Sequence, residues 1–157
     1  MATPKIMPCL WIDGRIDEMV DFYVATFKDA EIHDKTPGPD GGTLTITFRL
    51  KDQEFMALNG GPGPHFKFNE SVSFTVDCAD QAEIDYYWNA LVADGGEESM
   101  CGWLKDKFGL SWQIVPNNAM SLVWDKNNPE GAARAQQAMF QMRKLVIADL
   151  QAAYDGK

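Results

Sequence analysis

Apolar and polar positions change period several times along the chain, and each change marks an element. Residues 5–12 are mostly apolar and read as an edge strand or a strand start, because Pro8 cannot donate to a ladder. Asp13-Gly14 closes that stretch. From 16 to 28, Ile16, Met19, Val20, Tyr23 and Phe27 recur at spacings of three and four, one apolar stripe on a helix. Residues 36–42 (TPGPDGG) read as a loop. Residues 43–50 (TLTITFRL) alternate with period two, as a half-buried strand does, and 51–53 turn the chain into a second strand over 54–59. A glycine- and proline-rich loop, 59–64, follows.

The same order then returns. Residues 71–78 alternate as a strand. Asp80 is placed to cap a helix over 81–93, with Glu83 three residues on. Ile84, Tyr87, Trp88 and Leu91 form its apolar face, and Asp94-Gly95-Gly96 stops it. Residues 101–106 and 110–115 read as a hairpin around Lys107, Phe108 and Gly109, ended by Pro116. Two short strands are also expected, near 31–34 and 97–100. Residues 7–27 align on 71–91 at a shift of 64 with no gap. Asp13 meets Asp77, Asp21 meets Asp85, Tyr23 meets Tyr87, and core positions meet core positions. The expectation is an α+β domain of two tandem β-α-β-β-β modules, 5–62 and 68–116.

The tail, 119–155, differs in kind. A short helix over 119–124 is followed by a long one over 130–145 with Pro129 in its first turn, then a last helix over 147–154. Ala138, Met142 and Leu145 fall on one side of the long helix and Phe140 nearer another. A second apolar side, and sheet edges that need partners, predict a homodimer through either the tail or the sheet edges; a monomer whose tail packs on the chain's own sheet is the alternative.

Charge and cysteine usage narrow the partners. The net charge is −9 and the pI about 4.6, so phosphate backbones and anionic membrane surfaces are disfavoured: no nucleic acid and no membrane is expected. Cys9, Cys78 and Cys101 make no even framework and no Cys-x-x-Cys pair. Residues 1–8 hold no apolar run, so a cytoplasmic location is the expectation.

Four runs carry a family resemblance: residues 6–14 (IMPCLWIDG), 57–61 (ALNGG), 66–74 (FKFNESVSF) and 101–116 (CGWLKDKFGLSWQIVP). With the paired modules, the chain resembles the vicinal oxygen chelate (glyoxalase/bleomycin-resistance) superfamily. It is most similar to the PhnB-like branch, often labelled a 3-demethylubiquinone 3-methyltransferase domain. The resemblance implies two cupped mixed sheets with a pocket inside. In metal-using members the ligands are a His on the first strand and a Glu on the last strand of each module. Those places map to about Met7, Ser71, Ala57 and Gln113 here, which offer neither carboxylate nor imidazole, so no metal and no other cofactor is expected. His33 and His65 fall at loops or element ends. The strand-to-helix joins, 13–15 and 77–79, lack the glycine-rich turn of a nucleotide-like cofactor site. Cys101 has nothing near it in sequence to depress its pKa.

What remains is a small-molecule pocket. Strand alternation separates Trp112 from Gln113, and the resemblance favours Gln113 as the pocket-facing residue. Asn59 and Gln113 are the candidate amides, Ser73 the hydroxyl, and Trp103 and Phe68 the apolar walls, an apolar surface with few polar groups. The leading reading is a protein that binds an unknown small molecule, or an enzyme of unassigned reaction, with a neutral, partly aromatic pocket. A methyltransferase on a quinone-like ring and a dimeric interaction protein with a vestigial cavity are the alternatives.

Overall fold

The structure, a computed structural model, describes residues 6–61 and 67–157. The chain divides into two compact units, Met1–Phe66 and Lys67–Lys157. His65 and Phe66 lie outside the described residues.

The first unit holds β1 (Cys9–Ile12), α1 (Ile16–Thr26), β2 (Ala30–Pro37), β3 (Thr43–Leu50) and β4 (Gln53–Asn59), with strand order β1-β4-β3-β2. β1 pairs parallel with β4 and the other pairs are antiparallel. Pairing begins at Pro8, whose carbonyl accepts from Met56 N at 2.9 Å. β2 is longer than its sequence suggests and runs through Pro37, which the expected loop had claimed. β2 is an edge strand, where a residue without an N–H is tolerated.

Strand register fixes which face meets the helix. Lys35, Ile46, Ala57 and Leu10 lie side by side across four strands. Lys35 Nζ donates to Asp17 Oδ1 on α1 at 2.7 Å, so this row faces the helix. Met19, Val20 and Tyr23 of α1 are fully buried with Ile46 and Phe48, and the Tyr23 and Phe48 rings stack at 6.4 Å. Each such side chain contributes roughly 1.5–3 kcal/mol by leaving water.

The second unit repeats the plan with β5 (Ser73–Asp77), α2 (Gln81–Val92), β6 (Glu97–Glu98), β7 (Trp103–Lys105) and β8 (Ser111–Val115), in the order β5-β8-β7-β6. β5 pairs parallel with β8. Asp80 caps α2 by accepting from Glu83 N at 2.9 Å, and the Glu83 carboxylate accepts from Ala79 N. The row Glu98, Leu104, Trp112, Phe74 faces α2, because Trp88 of that helix donates its indole N–H to Glu98 Oε1 at 2.9 Å. At the β7–β8 turn the buried Asp106 accepts from Phe108 N, Leu110 N and the Trp112 indole.

The tail forms α3 (Asn117–Val123), α4 (Pro129–Gln141) and α5 (Ile147–Asp155). α4 stops at Gln141, earlier than the apolar spacing predicts. The chain beyond it goes extended, and the Met142 and Arg143 carbonyls accept from Cys101 N (2.8 Å) and Gly102 N (2.7 Å). Leu145 thereby leaves the helix and enters a small core with Val115, Val123, Ala135, Met139 and Leu150. Gln81 of α2 clamps the same segment: its Nε2 donates to Leu145 O at 3.1 Å and its Oε1 accepts from Ile147 N at 2.9 Å. Among the described residues no helix is long and apolar enough to cross a membrane.

Candidate functional site

Side chains on a strand alternate between faces, so what does not meet α2 lies on the opposite, open face of the second unit's sheet. Two rows occupy it. One runs Thr75, Gln113, Trp103, and the next runs Ser73, Ser111, Lys105, Glu97. Three residues expected from the sequence therefore share a face. Gln113 Nε2 donates to Ser73 Oγ at 2.8 Å, which joins the first and last strands of the module. Trp103 stands opposite Gln113 in register. Trp112 points the other way, against Phe74 at 5.6 Å between ring centroids.

A cleft of ≈ 160 Å³ opens on this face. Glu70, Glu97, Ser99, Trp103, Lys105 and Ser111 are in its walls. Of the expected residues Trp103 alone is among them; Ser73 adjoins through Ser111, and Gln113 through Trp103. The cleft is charged, with Glu70, Glu97 and Lys105 in its walls. Lys105 pairs with Glu70, and that hydrogen bond raises the lysine above its ordinary value and lowers the glutamate below its own. Glu97 adds a smaller electrostatic pull on Lys105. Ser111 is fully buried, and its Oγ has no hydrogen-bond partner among the described residues. Ser111, Lys105 and Glu97 escaped the sequence reading although period two could have found them: Ser111 lies two residues before Gln113, and Lys105 two after Trp103.

The remaining expected residues are placed differently. Asn59 belongs to the first unit, where its amide is a structural tie: Oδ1 accepts from Gly14 N at 3.0 Å and Nδ2 donates to Thr43 O at 3.2 Å. Phe68 is half-buried beside the β7–β8 turn, its Cβ 4.0 Å from where a Cβ on Gly109 would be. One mapping is corrected outright. Ala57 was matched to the last-strand position of the first module, but it is fully buried on the helix face. Trp11 pairs with Leu58 as Thr75 pairs with Gln113, so Leu58 holds the equivalent place. A slip of one residue moves a side chain through the sheet.

Donor chemistry at the superfamily's metal positions can now be judged. Leu58 offers no ligand atom, Ser71 is engaged with Asn69 through both N and Oγ, and Gln113 is engaged with Ser73. Among the described residues no three His, Cys, Asp or Glu side chains gather as a metal site would need. His33 instead meets the Glu54 carboxylate at 2.9 Å. The helix N-termini are no better suited to an anionic nucleotide. That of α2 already carries the Asp80 and Glu83 carboxylates, and that of α1 carries the Arg15–Glu18 pair.

Comparison with known proteins agrees with the topology. A family model described as 3-demethylubiquinone-9 3-methyltransferase matches residues 4–115. No curated protein matches the chain. Among solved structures, the PhnB protein from Bacillus cereus is 30% identical, spans 72% of this chain and 99% of its own, and superposes with a TM-score of 0.67. A protein from Pseudomonas aeruginosa is 18% identical over 73% of this chain and 98% of its own, with a TM-score of 0.61. The fosfomycin resistance protein FosX from Listeria monocytogenes, complexed with Mn(II) and sulfate, is 15% identical over 74% and 93%, with a TM-score of 0.53. These likenesses establish the α+β fold of paired β-α-β-β-β modules. The family model ends where the tail begins.

Proposed function

We propose that this chain, which belongs to the 3-demethylubiquinone-9 3-methyltransferase family (the PhnB-like branch of the vicinal oxygen chelate superfamily), binds a small organic molecule on the open face of the second unit's sheet. One observation carries the reading: the Gln113–Ser73 hydrogen bond and Trp103 share a face with a cleft of ≈ 160 Å³. Sites of this kind combine an aromatic wall with a few oriented polar groups. No reaction step is assigned. Methyl transfer is supported by the family's description alone. The residues at the superfamily's metal positions do not fit a divalent ion, so no step is routed through one.

The test is a thermal-shift screen of small metabolites and S-adenosylmethionine, repeated on Trp103→Ala and Gln113→Leu. A ligand at 100 times its Kd stabilises by about 2.7 kcal/mol, or about 8 °C for a chain of this length. The expected result is a shift in the native protein that both variants lose. A ligand that shifts both variants as much as the native chain would place its site elsewhere and refute the reading. A shift with S-adenosylmethionine that Trp103→Ala abolishes would support methyl transfer.

Two further expectations stand as proposals. Pairing of two chains is supported by Phe140 and Trp124 on the tail, which stay 52% and 60% exposed. Against it, Ala132, Ala135 and Met139 of α4 are already covered within the unit. Light scattering on the intact chain decides between one and two copies. A reducing compartment suits the three free cysteines, and a fluorescent fusion would locate the protein.

A further inference from the structure

The cleft has a carboxylate without a hydrogen-bond partner among the described residues and an unused hydroxyl, and the two observations are independent. Lys105 is committed to Glu70. Glu98, whose side chain belongs to the helix face, is committed to Trp88 and Arg143. That leaves Glu97 exposed at the rim, with no hydrogen bond or close ion pair among the described residues and only the weaker electrostatic pull of Lys105, which is held by Glu70. Ser111, two strands away in the same row, is fully buried with an Oγ that finds no partner. Buried hydroxyls are nearly always hydrogen-bonded, so an orphan in a cleft wall marks a place that a ligand atom or an ordered water fills.

We propose that the cleft recognises a small primary amine that also carries a neutral oxygen a few bonds from its ammonium. The proposal rests on the reading that this face binds a small molecule. Glu97 takes the ammonium, the indole of Trp103 in the wall offers its π-face to the same charge, and the ligand oxygen meets Ser111 Oγ. Lys105 stands between Ser111 and Glu97 in the row, which favours an oxygen rather than a second cation opposite the serine. An anionic ligand would meet Glu97 and Glu70 in the same cleft. The chain's charge of −9 also draws cations toward it and repels anions.

The experiment uses the intact chain and four probes that share a phenyl ring. These are 2-amino-1-phenylethanol, phenethylamine without the hydroxyl, the N-acetylated amino alcohol without the charge, and mandelate with the opposite charge. Binding is followed by ¹H–¹⁵N NMR of the backbone and of the Gln113 side-chain amide. The amino alcohol should bind at least tenfold more tightly than its N-acetyl form or mandelate. Glu97→Gln should weaken both amines at least tenfold. Ser111→Ala should weaken the amino alcohol several-fold and leave phenethylamine unchanged, which a purely structural effect would not do. Equal binding of amine and N-acetyl probes, or no loss in Glu97→Gln, would overturn the proposal. If a neutral or anionic molecule perturbs Ser73, Trp103 and Gln113 while the amines do not, the amine inference falls and the small-molecule reading stands. If no probe or metabolite of any charge perturbs this face, both fall.

Discussion

Ser111→Ala should make the unliganded protein more stable. The residue sits in β8 with no exposed surface, and its Oγ has no partner among the described residues. Leaving a hydroxyl buried without a hydrogen bond costs about 1–3 kcal/mol. Removing it recovers that cost, less a few tenths for the small void left by one oxygen atom. The net expectation is about +1 kcal/mol. For 157 residues the entropy of unfolding is about 0.33 kcal/mol per degree, so the melting temperature should rise about 3 °C. Calorimetry at neutral pH on protein freed of small molecules by refolding from urea measures this directly, and the urea m-value should not change. A fall in melting temperature of 1 °C or more would refute the reasoning, because it would mean that Oγ has a protein partner in solution. The same variant should bind the amino alcohol less well. Stability and affinity then move in opposite directions at one atom, the signature of a group held unsatisfied for a ligand.

Asp106→Ala should destabilise by about 4 kcal/mol in urea unfolding, since a carboxylate 2% exposed there accepts from two backbone amides and an indole. Asp106→Asn, which keeps an acceptor for the amides, should lose clearly less. Gln81→Leu removes both hydrogen bonds of the tail clamp and should cost about 1–2 kcal/mol, with faster hydrogen exchange in α5 and unchanged exchange in β3. The Tyr154 hydroxyl donates to Asp125 Oδ2 at 2.5 Å, which lowers the Asp125 pKa and raises that of Tyr154. A lowered carboxylate contributes fully above its unfolded value and loses that contribution as pH falls through the folded one. A raised tyrosine contributes fully below its unfolded value and loses that as pH rises through the folded one. Proteolysis of the tail should therefore be slowest between about pH 4 and pH 10. Tyr154→Phe should flatten both edges of that profile.

Much of the fold was legible because its signals are periodic. The stripe of Met19, Val20 and Tyr23, the alternation over 43–50 and the matched Asp13/Asp77 positions depend only on local spacing and on repetition. The ends of elements were less legible because tertiary partners set them. Pro37 stays in a strand because its strand is at an edge, and α4 ends at Gln141 because Cys101 and Gly102 take the next carbonyls. The candidate site was half legible. Parity put Gln113, Ser73 and Trp103 on one face, yet the same parity was not followed to Ser111, Lys105 and Glu97. The first module's last-strand position was misplaced by one residue because register is a property of the pairing between strands, which β4 alone does not disclose. Asn59, a candidate pocket amide in sequence, makes hydrogen bonds that join three segments only the folded unit brings together.

The parallel pairing of β5 with β8 has a consequence for how the protein is made. Ser73 and Gln113 are neighbours in space but are separated by α2 and two further strands in the chain. During synthesis β5 leaves the ribosome well before its partner exists, and its ladder groups must wait while the intervening elements emerge. Long-range closure of this kind is slow, because the entropy of the loop is lost before any pairing offsets it. Until β8 arrives, the alternating 71–78 segment is an open strand edge in a nascent chain, available to other strands. The face that carries Ser73 and Gln113 is thus the last part of the module to assemble, and a chain cut short between Asp77 and Val115 would leave β8 incomplete and β5 exposed.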